Sequence, residues 1–556
     1  MKRLKHFTRK VVVLTLSAAM LAAVAGCGGS SGAQSASGKT EAGAGASEGA
    51  SDGTGKVITI ADGALDGSLD PAGFALQSWN AFARLCSLPL ISYDKSGEVI
   101  YEAAESFEVS DDQLTYTFHL RKDGKWSDGS AVTAGDFLNT ITRALDSETS
   151  GSVYADQLFV IEGAQAAYEG TGSADDIQAI AEDDNTLVFH LTKPCAYFTK
   201  LLALPVYYPS KTGVAVNGTD WYKDPATCPC NGPYMLTEFV QDQYYAVEKN
   251  PYYFAADQVK IDRIVDQTIT DTQSMIAAYT AGEVDVASGL PDYIETQYKD
   301  SDELFIWRMI TTTAILPNVK AEPLDDALVR EAIALALDRN AICASLGTNW
   351  EPAYAWVPKY MTSNKGGGYF YDEVSHFSED AQKAKELLAQ AGYPDGNGFP
   401  TLTYTYPSND KDAILAQAIQ AQLKAVLNIE IRLEAQETEV YNTTKREGTF
   451  QLLRYNWTAD FTDPINYLAL YASDSALNFN GVSDADYDAA IASANGAVTQ
   501  EERNTYLHEA ERILVDENFF SIPISTMHYI GLRNPAITGV TYNDRDESNY
   551  RFSDLK

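Results

Sequence analysis

Alternation between apolar and polar side chains predicts strands at several places along the chain. Residues 114–120 and 186–191 alternate with a period of two, which is typical of strands that pack one face against a core. Residues 449–453 form a short apolar run that indicates a buried strand. Residues 465–471, which follow Pro464 directly, predict a helix.

Helical spacing of apolar residues follows in the second half of the chain. The spacing of five apolar residues predicts one apolar helix face: Val329, Ile333, Leu335, Ala336 and Leu337. Residues 381–391 predict a helix that Gly392 and Pro394 stop. Strands and helices then alternate, and this order predicts a parallel α/β sheet with right-handed crossovers.

The N-terminus has the pattern of an export signal. Five Lys and Arg residues precede an apolar run at 11–25, which at about 15 residues is shorter than the roughly 20 needed to span a membrane. The run ends in Leu21 and small residues before Cys27, and so resembles a bacterial lipobox. This predicts a signal peptide at 1–26 and a diacylglycerol group on the sulfur of Cys27.

The segment that follows Cys27 is too polar to fold. Residues 28–56 are mostly Gly, Ser and Ala, with almost no large apolar side chains, which indicates a flexible tether. We found no second apolar run that could span a membrane. We therefore expect an extracytoplasmic chain that a lipid anchors to the outer face of the cell membrane, or a periplasmic one.

Composition excludes several functions. At 556 residues and 60.6 kDa the chain can form two to four lobes, and its net charge of −36 would repel nucleic acid. Only six His occur, and no H-E-x-x-H, Walker A or G-x-S-x-G motif is present. We therefore expect no enzyme, no metal and no cofactor.

Cysteine pairing is left open by the sequence. Five cysteines follow Cys27: Cys86, Cys195, Cys228, Cys230 and Cys343. An odd number cannot all pair within the chain. One long-range disulfide and buried free thiols are both compatible with the sequence.

The segment at 454–464 holds the strongest candidate for chemistry. Asp463 precedes Pro464 and is explained as a helix cap. Asp460 has no such explanation, because it lies beside Trp457 at the end of a predicted strand. A carboxylate among aromatic rings is costly to bury unless a cation pairs with it. That cation is either Arg454 or the ammonium group of a ligand.

Several segments resemble one protein family. The residues at 457–464 read W-T-A-D-F-T-D-P, those at 126–136 read W-S-D-G-S-A-V-T-A-G-D, and those at 231–234 read N-G-P-Y. These match signatures of the extracellular solute-binding proteins of family 5, the oligopeptide- and dipeptide-binding proteins of ABC importers. The resemblance covers roughly residues 57–550. We interpret the segment at 126–136 as structural.

This resemblance implies a fold. Members are similar to periplasmic binding proteins of type II, α/β proteins with two main lobes joined by a hinge and a third lobe inserted. Residues 57–92, 212–316 and 531–556 would form lobe I, residues 93–211 the inserted lobe II, and residues 317–530 lobe III. Together with the signal peptide at 1–26 and the lipidated tether at 27–56, these lobes account for the whole chain.

The resemblance also implies a function and its residues. Asp460 would hold the ammonium group of an oligopeptide, and Arg454 or Lys445 would face its carboxylate. Backbone groups near Trp457 would form strand-type hydrogen bonds, and Tyr154 falls where relatives contact the ligand. The implied partners are a peptide and the permease subunits of an ABC importer, with a monomeric chain and a membrane contact through the lipid alone.

Two other functions are compatible with the same fold. Relatives bind nickel chelates, haem, sugars or opines, although Asp460 favours a ligand with an amine. An adhesin, sensor or chaperone could also use the fold for contacts with other proteins.

Overall fold

A computed structural model describes residues 55–63, 69–73, 82–146, 152, 154–214, 221–363, 368–543, 545 and 547–556. The predicted signal peptide, Cys27 and residues 28–54 of the tether lie outside these described residues. Among the helices of the described residues, none is both long enough and apolar enough to cross a membrane.

A mixed sheet of 11 strands is the centre of the fold. Ten of them follow one another in the spatial order Ile431–Gln436, Leu402–Pro407, Leu452–Thr458, Leu304–Pro317, Ile522–Arg533, Val286–Leu290, Val57–Asp62, Arg263–Thr268, Tyr244–Lys249 and Tyr234–Val240. The short strand Trp350–Pro352 also pairs with Ile522–Arg533.

Each end of this sheet contains a parallel group. Leu402–Pro407 runs parallel to Ile431–Gln436, and the helix Asp410–Leu427 connects the two strands. At the other end Val57–Asp62 lies parallel between Arg263–Thr268 and Val286–Leu290. Parallel neighbours need a crossover connection of this kind, so the α/β class predicted from the alternation is confirmed.

Two long strands join the parallel groups. Leu304–Pro317 and Ile522–Arg533, here called the first and second crossing strands, pair antiparallel along most of their length. The first crossing strand also pairs with Leu452–Thr458, and the second pairs with Val286–Leu290. These two strands therefore connect the two ends of the sheet.

A separate antiparallel sheet lies in the N-terminal half. Its four strands are Ala104–Val109, Thr115–Leu120, Thr186–His190 and Ala179–Asp183. The two strands that were predicted from alternation are both in this sheet and are confirmed. Three two-stranded ribbons complete the β-structure: Ile91–Tyr93 with Val99–Tyr101, Ile537–Thr538 with Asp554–Leu555, and Thr541–Tyr542 with Ser548–Asn549.

Helices cover the strands. In the described residues they are Ala134–Ala144, Ala164–Tyr168, Phe198–Leu201, Thr272–Ala281, Asp292–Tyr298, Ala327–Leu335, Arg339–Leu346, Ala381–Gln390, Asp410–Leu427, Thr438–Glu447, Ile465–Leu468, Ala485–Gly496 and Gln500–Glu511, with residues 82–86 also helical. Val329 and Ile333 are buried as their spacing predicted. The helix at 381 ends at Gln390, two residues before Gly392, which has a positive φ.

The segment at 126–136 is a structural unit, as interpreted. Trp126 is buried and donates its indole N–H to the carboxylate of Asp136 at 3.0 Å. The same carboxylate accepts the backbone N–H of Thr133 at 2.9 Å and that of Thr212 at 2.8 Å. Asp136 thus fixes the start of the helix Ala134–Ala144 and ties a remote segment to it.

Asp136→Ala is expected to destabilise the fold by about 3 kcal/mol or more, because these three donors and the hydroxyl of Thr133 lose a buried acceptor. The matched control is Asp128→Ala in the same segment. Asp128 is exposed and pairs with Lys211, and an exposed pair contributes less than about 1 kcal/mol. Urea unfolding of both variants measures the difference, and equal losses would contradict the role given to Asp136.

The five cysteines after Cys27 are free, buried thiols. The sulfur atoms of Cys228 and Cys230 lie 3.7 Å apart and form no disulfide bond. Of the two alternatives that the sequence left open, the structure has free thiols.

Candidate functional site

Asp460 lies just beyond the end of a central strand. The prediction of a strand at 449–453 was wrong in its bounds, because the strand is Leu452–Thr458 and includes Arg454 and Trp457. The strand extends beyond its apolar run because it pairs with the first crossing strand, from Pro317↔Leu452 to Thr311↔Thr458. Asp460 follows in a bend and leads into the helix Ile465–Leu468.

The carboxylate of Asp460 has polar contacts but forms no ion pair with the described residues. The hydroxyl of Tyr154 donates to its Oδ1 at 3.0 Å. Burial raises the pKa of the Asp460 carboxyl, against the opposing effects of Tyr154 and Arg545. No Lys, Arg or His of the described residues lies within ion-pair distance of this carboxylate. A group of this kind gains most from a cation that arrives with a ligand.

Tyr154 reaches Asp460 from a remote part of the sequence. It precedes the short 3₁₀-helix Ala155–Leu158 and is largely buried. Burial and the Asp460 charge raise the pKa of the Tyr154 phenol, which therefore keeps its proton and donates it as a hydrogen bond. The structure brings together these two residues, which the sequence analysis had named separately.

Asn466 links Trp457 to Asp460. Its Oδ1 accepts the indole N–H of Trp457 at 2.8 Å and the backbone N–H of Asp460 at 3.3 Å. The guanidinium of Arg545 donates to the carbonyl oxygen of Asp460 at 3.2 Å. Neither Asn466 nor Arg545 was predicted from the sequence, because an Asn inside a helix and an Arg 85 residues away carry no local signal.

Asp463 forms a buried ion pair behind the site. Both of its carboxylate oxygens accept from Arg503, at 2.7 and 3.0 Å, and both side chains are almost fully buried. One oxygen also accepts the backbone N–H of Ile465 at 2.9 Å, as in a helix cap. The helix itself begins at Ile465, so Pro464 takes the capping position that was predicted for Asp463.

Arg454 does not pair with Asp460, which corrects one of the two alternatives. Its Nε lies 2.6 Å from the carboxylate of Asp412, and both side chains are largely buried. The extended strand from Arg454 to Thr458 covers about 13 Å at roughly 3.3 Å per residue, and this extension separates Arg454 from Asp460. The six-residue interval between Arg454 and Asp460 gave no indication that Arg454 pairs with Asp412.

Lys445 lies near Arg454, in the last turn of the helix Thr438–Glu447. Its ammonium group is 5.6 Å from the ring centre of Tyr441 and 5.4 Å from that of Phe479. Burial, together with Arg446 and Arg454, lowers the pKa of Lys445. Among the described residues no carboxylate is within ion-pair distance of Lys445, which leaves it available to an anion.

A cavity of about 270 Å³ adjoins Asp460. Its wall includes Asp460, Phe461 and Thr462, together with residues from 83–102, 200–208 and 541–552. Phe461 is held in place by a parallel stack on Tyr197, with ring centres 5.6 Å apart. The cavity thus lies where three remote parts of the chain meet, and Asp460 is one of its charged groups.

Comparison with known proteins places the chain in one protein family. The family described as bacterial extracellular solute-binding proteins, family 5 middle, matches residues 98–479. The dipeptide-binding protein DppE of Bacillus subtilis is 30% identical over 472 residues, which cover 84% of this chain and 86% of that protein.

Solved structures agree with the sequence relatives. The unliganded open form of the periplasmic murein tripeptide binding protein MppA has a TM-score of 0.77 at 25% identity, covering 90% of this chain and 98% of that one. Haemophilus influenzae OppA in complex with RPPGFSPFR has a TM-score of 0.72 at 27% identity, covering 90% and 99%. Both likenesses span nearly all of the described chain.

Proposed function

The chain belongs to the bacterial extracellular solute-binding proteins of family 5, and from this premise we propose that it captures oligopeptides for an ABC importer. It would bind a peptide in the cleft beside Asp460 and deliver it to the permease subunits. It would release the peptide chemically unchanged and would act as a binding protein, not an enzyme.

The observation that carries this proposal is the carboxylate of Asp460. It is partly buried, oriented by Tyr154 at 3.0 Å, and has no cationic partner among the described residues. The α-ammonium group of a peptide supplies the missing positive charge and can donate three hydrogen bonds. The raised pKa of Asp460 in the unliganded chain is the electrostatic cost that such a ligand would remove.

The strand that leads to Asp460 suits an extended backbone. Leu452–Thr458 pairs with Leu402–Pro407 only through Leu452 and Leu453. Within the described chain, the rest of this edge, toward Trp457, has no strand beside it. An extended peptide could add there as a strand, and backbone hydrogen bonds would tolerate many side chains.

Lys445 is our candidate for the peptide carboxylate. Arg454 is already paired with Asp412, whereas Lys445 lies near aromatic rings and other cations and has no carboxylate of the described residues within ion-pair distance. A carboxylate would restore the lowered pKa of Lys445 toward its usual value. Arg454 would then contribute through its charge, or by exchanging Asp412 for the ligand.

We propose three lobes with the boundaries given above. The four-stranded sheet at 104–190 supports an inserted lobe II, and the two crossing strands support a hinge between lobes I and III. Cleft closure by hinge motion follows from this arrangement. We further propose that Cys27 carries a lipid and that 28–56 is the tether of a monomer at the outer face of the membrane.

Peptides with blocked ends test the proposed function. Titration calorimetry of the full chain in detergent would compare free alanine peptides of two to five residues with their N-acetylated and C-amidated forms. We expect N-acetylation to weaken binding by roughly 10²–10³, because it removes the cation that faces Asp460. Equal affinity for free and N-acetylated peptides would contradict the proposal, and so would a failure of every free peptide to bind.

A further inference from the structure

A second, smaller cavity of about 90 Å³ contains two acidic side chains, Asp62 and Asp266. They lie on neighbouring parallel strands, with Ile60 directly opposite Asp266 in the register. Because side chains alternate along a strand, Asp62 and Asp266 project from the same face of the sheet, two positions apart. Both line the cavity.

Asp266 is enclosed but has no countercharge. It is 8% exposed, and its Oδ2 accepts the hydroxyl of Tyr245 at 2.8 Å. No other side chain or backbone group of the described residues donates to its carboxylate, and none of their cations lies within ion-pair distance. Its second oxygen is therefore an unused acceptor in the wall of the cavity. Burial, reinforced by the charge of Asp62, raises the pKa of Asp266 to about 8.

The cation nearest to the pair is engaged elsewhere. Arg84 lines the cavity, but its guanidinium donates to Glu547 at 2.8 Å, and Arg545 lies 3.7 Å from the same carboxylate. Glu547 is thus paired with two arginines. Arg84 lowers the pKa of Asp62 and Asp266 through its charge, but no cation of the described residues forms an ion pair with either. The wall of the cavity therefore contains three carboxyl groups and one guanidinium.

Four aromatic rings contribute to the wall. Phe305 and Trp307 belong to the first crossing strand, and Tyr245 and Tyr550 also line the cavity. The remaining wall residues are aliphatic or carry hydroxyl groups: Ile60, Leu85, Val286, Ser288 and Ser548. Carboxylates combined with ring faces are the surroundings that alkylammonium and guanidinium groups prefer. The volume is suited to the end of one side chain and not to a whole peptide.

The cavity is connected to the site of Asp460. Arg84 and Glu547 line both cavities. The indole N–H of Trp307 donates to the carbonyl oxygen of Arg545 at 3.1 Å, and Arg545 in turn donates to the carbonyl oxygen of Asp460 at 3.2 Å. A ligand whose ammonium group is bound at Asp460 can therefore direct a later side chain toward Asp266.

We propose that this cavity is a specificity pocket that accepts a lysine or arginine side chain of the bound peptide, with Asp266 and Asp62 facing its charge. The inference rests on the proposed function and names a preferred class of peptide within it. A cation in the pocket would favour the ionised form of Asp266, which burial and the charge of Asp62 disfavour in the unliganded chain.

Lysine scanning against a neutral isostere tests the pocket. The full chain in detergent would be titrated with alanine peptides of two to five residues that carry one lysine at each position in turn. Parallel peptides would carry norleucine, which has a chain of similar shape but no ammonium group. We expect one position, other than the first, at which lysine binds about tenfold more tightly than norleucine or better.

Asp266→Asn removes the charge with little change of shape and is expected to abolish that preference. Its affinity for the norleucine peptides should stay within about threefold of the parent chain. The matched control is Asp242→Asn, which removes the same charge from an exposed turn and should keep the preference. Without peptide, Asp266→Asn should melt no lower than the parent, because it replaces a carboxyl whose ionisation burial disfavours with a neutral amide of similar shape.

The outcomes separate the two proposals. Norleucine and lysine peptides that bind equally at every position would overturn the pocket and leave peptide capture standing. A lysine preference that survives in Asp266→Asn would overturn the pocket as well. If no peptide of either series binds, both peptide capture and the pocket are wrong.

Discussion

Asp460→Asn is expected to weaken the binding of free peptides by roughly 10²–10³. Loss of one partner of an enclosed ion pair costs about 3–5 kcal/mol, and the substitution leaves the ligand ammonium without a countercharge. Asparagine keeps an oxygen that can accept the hydroxyl of Tyr154, so the fold around the site should persist. Calorimetric titration with unblocked peptides measures the loss.

Asp156→Asn is the matched control for this substitution. Asp156 is exposed, and its charge contributes to the raised pKa of Asp460. Its removal eliminates one negative charge near the site without touching the proposed anchor, so the affinity should change less than about tenfold. Equal losses in the two variants would mean that net charge attracts the ligand and that Asp460 is not the anchor. N-acetylated peptides should bind Asp460→Asn and the parent chain equally weakly.

Arg503→Met is expected to reduce the free energy of unfolding by about 3–5 kcal/mol. It leaves Asp463 as an uncompensated charge at a position that is 2% exposed. The pair connects the helix Gln500–Glu511 to the bend that holds Asp460, so the site should lose rigidity as the fold loses stability. The shift of the urea midpoint gives the measurement.

Two further variants separate charge from packing in this result. Arg503→Met combined with Asp463→Asn removes the lone charge and should be more stable than Arg503→Met alone. Arg512→Met breaks exposed pairs with Glu509 and Glu517 just beyond the same helix, and should cost about 1 kcal/mol or less. If the double variant is no more stable than Arg503→Met, the loss comes from packing and not from the charge.

Local patterns predicted much of the fold because they reflect local physics. The alternation at 114–120 and 186–191 became two paired strands, and the spacing of Val329 and Ile333 became a buried helix face. The strand at Leu452–Thr458 was harder to predict. Its second half is polar and is held by backbone pairing with the first crossing strand, more than 140 residues away.

The site was predicted in part for the same reason. Asp460 was identified because a carboxylate beside aromatic residues lacks a local explanation. Its neighbours in the structure, Tyr154 and Arg545, are 306 and 85 residues away in the sequence. Nothing in the sequence specifies how far either lies from Asp460 in the fold. Arg454 shows the converse error. Its nearness in sequence to Asp460 suggested that the two residues pair, but the extended strand separates them and Arg454 pairs with Asp412.

The raised pKa values of Asp460 and Asp266 have one physical origin. Each carboxyl is shielded from water and lacks a cation within ion-pair distance among the described residues. In a chain that acts only as a scaffold such groups would be a net cost, and marginal stability disfavours them. A binding protein can retain them, because its ligand supplies the missing charge.

Native mass spectrometry of the chain as purified, beside Asp460→Asn, distinguishes peptide capture from the other functions. We expect a ladder of co-purified peptide masses on the parent chain and its loss from the variant. A single non-peptide mass would contradict peptide capture and indicate another small solute. A parent chain that carries no ligand and binds no member of an added peptide library would also contradict it, and would favour a function in protein contacts.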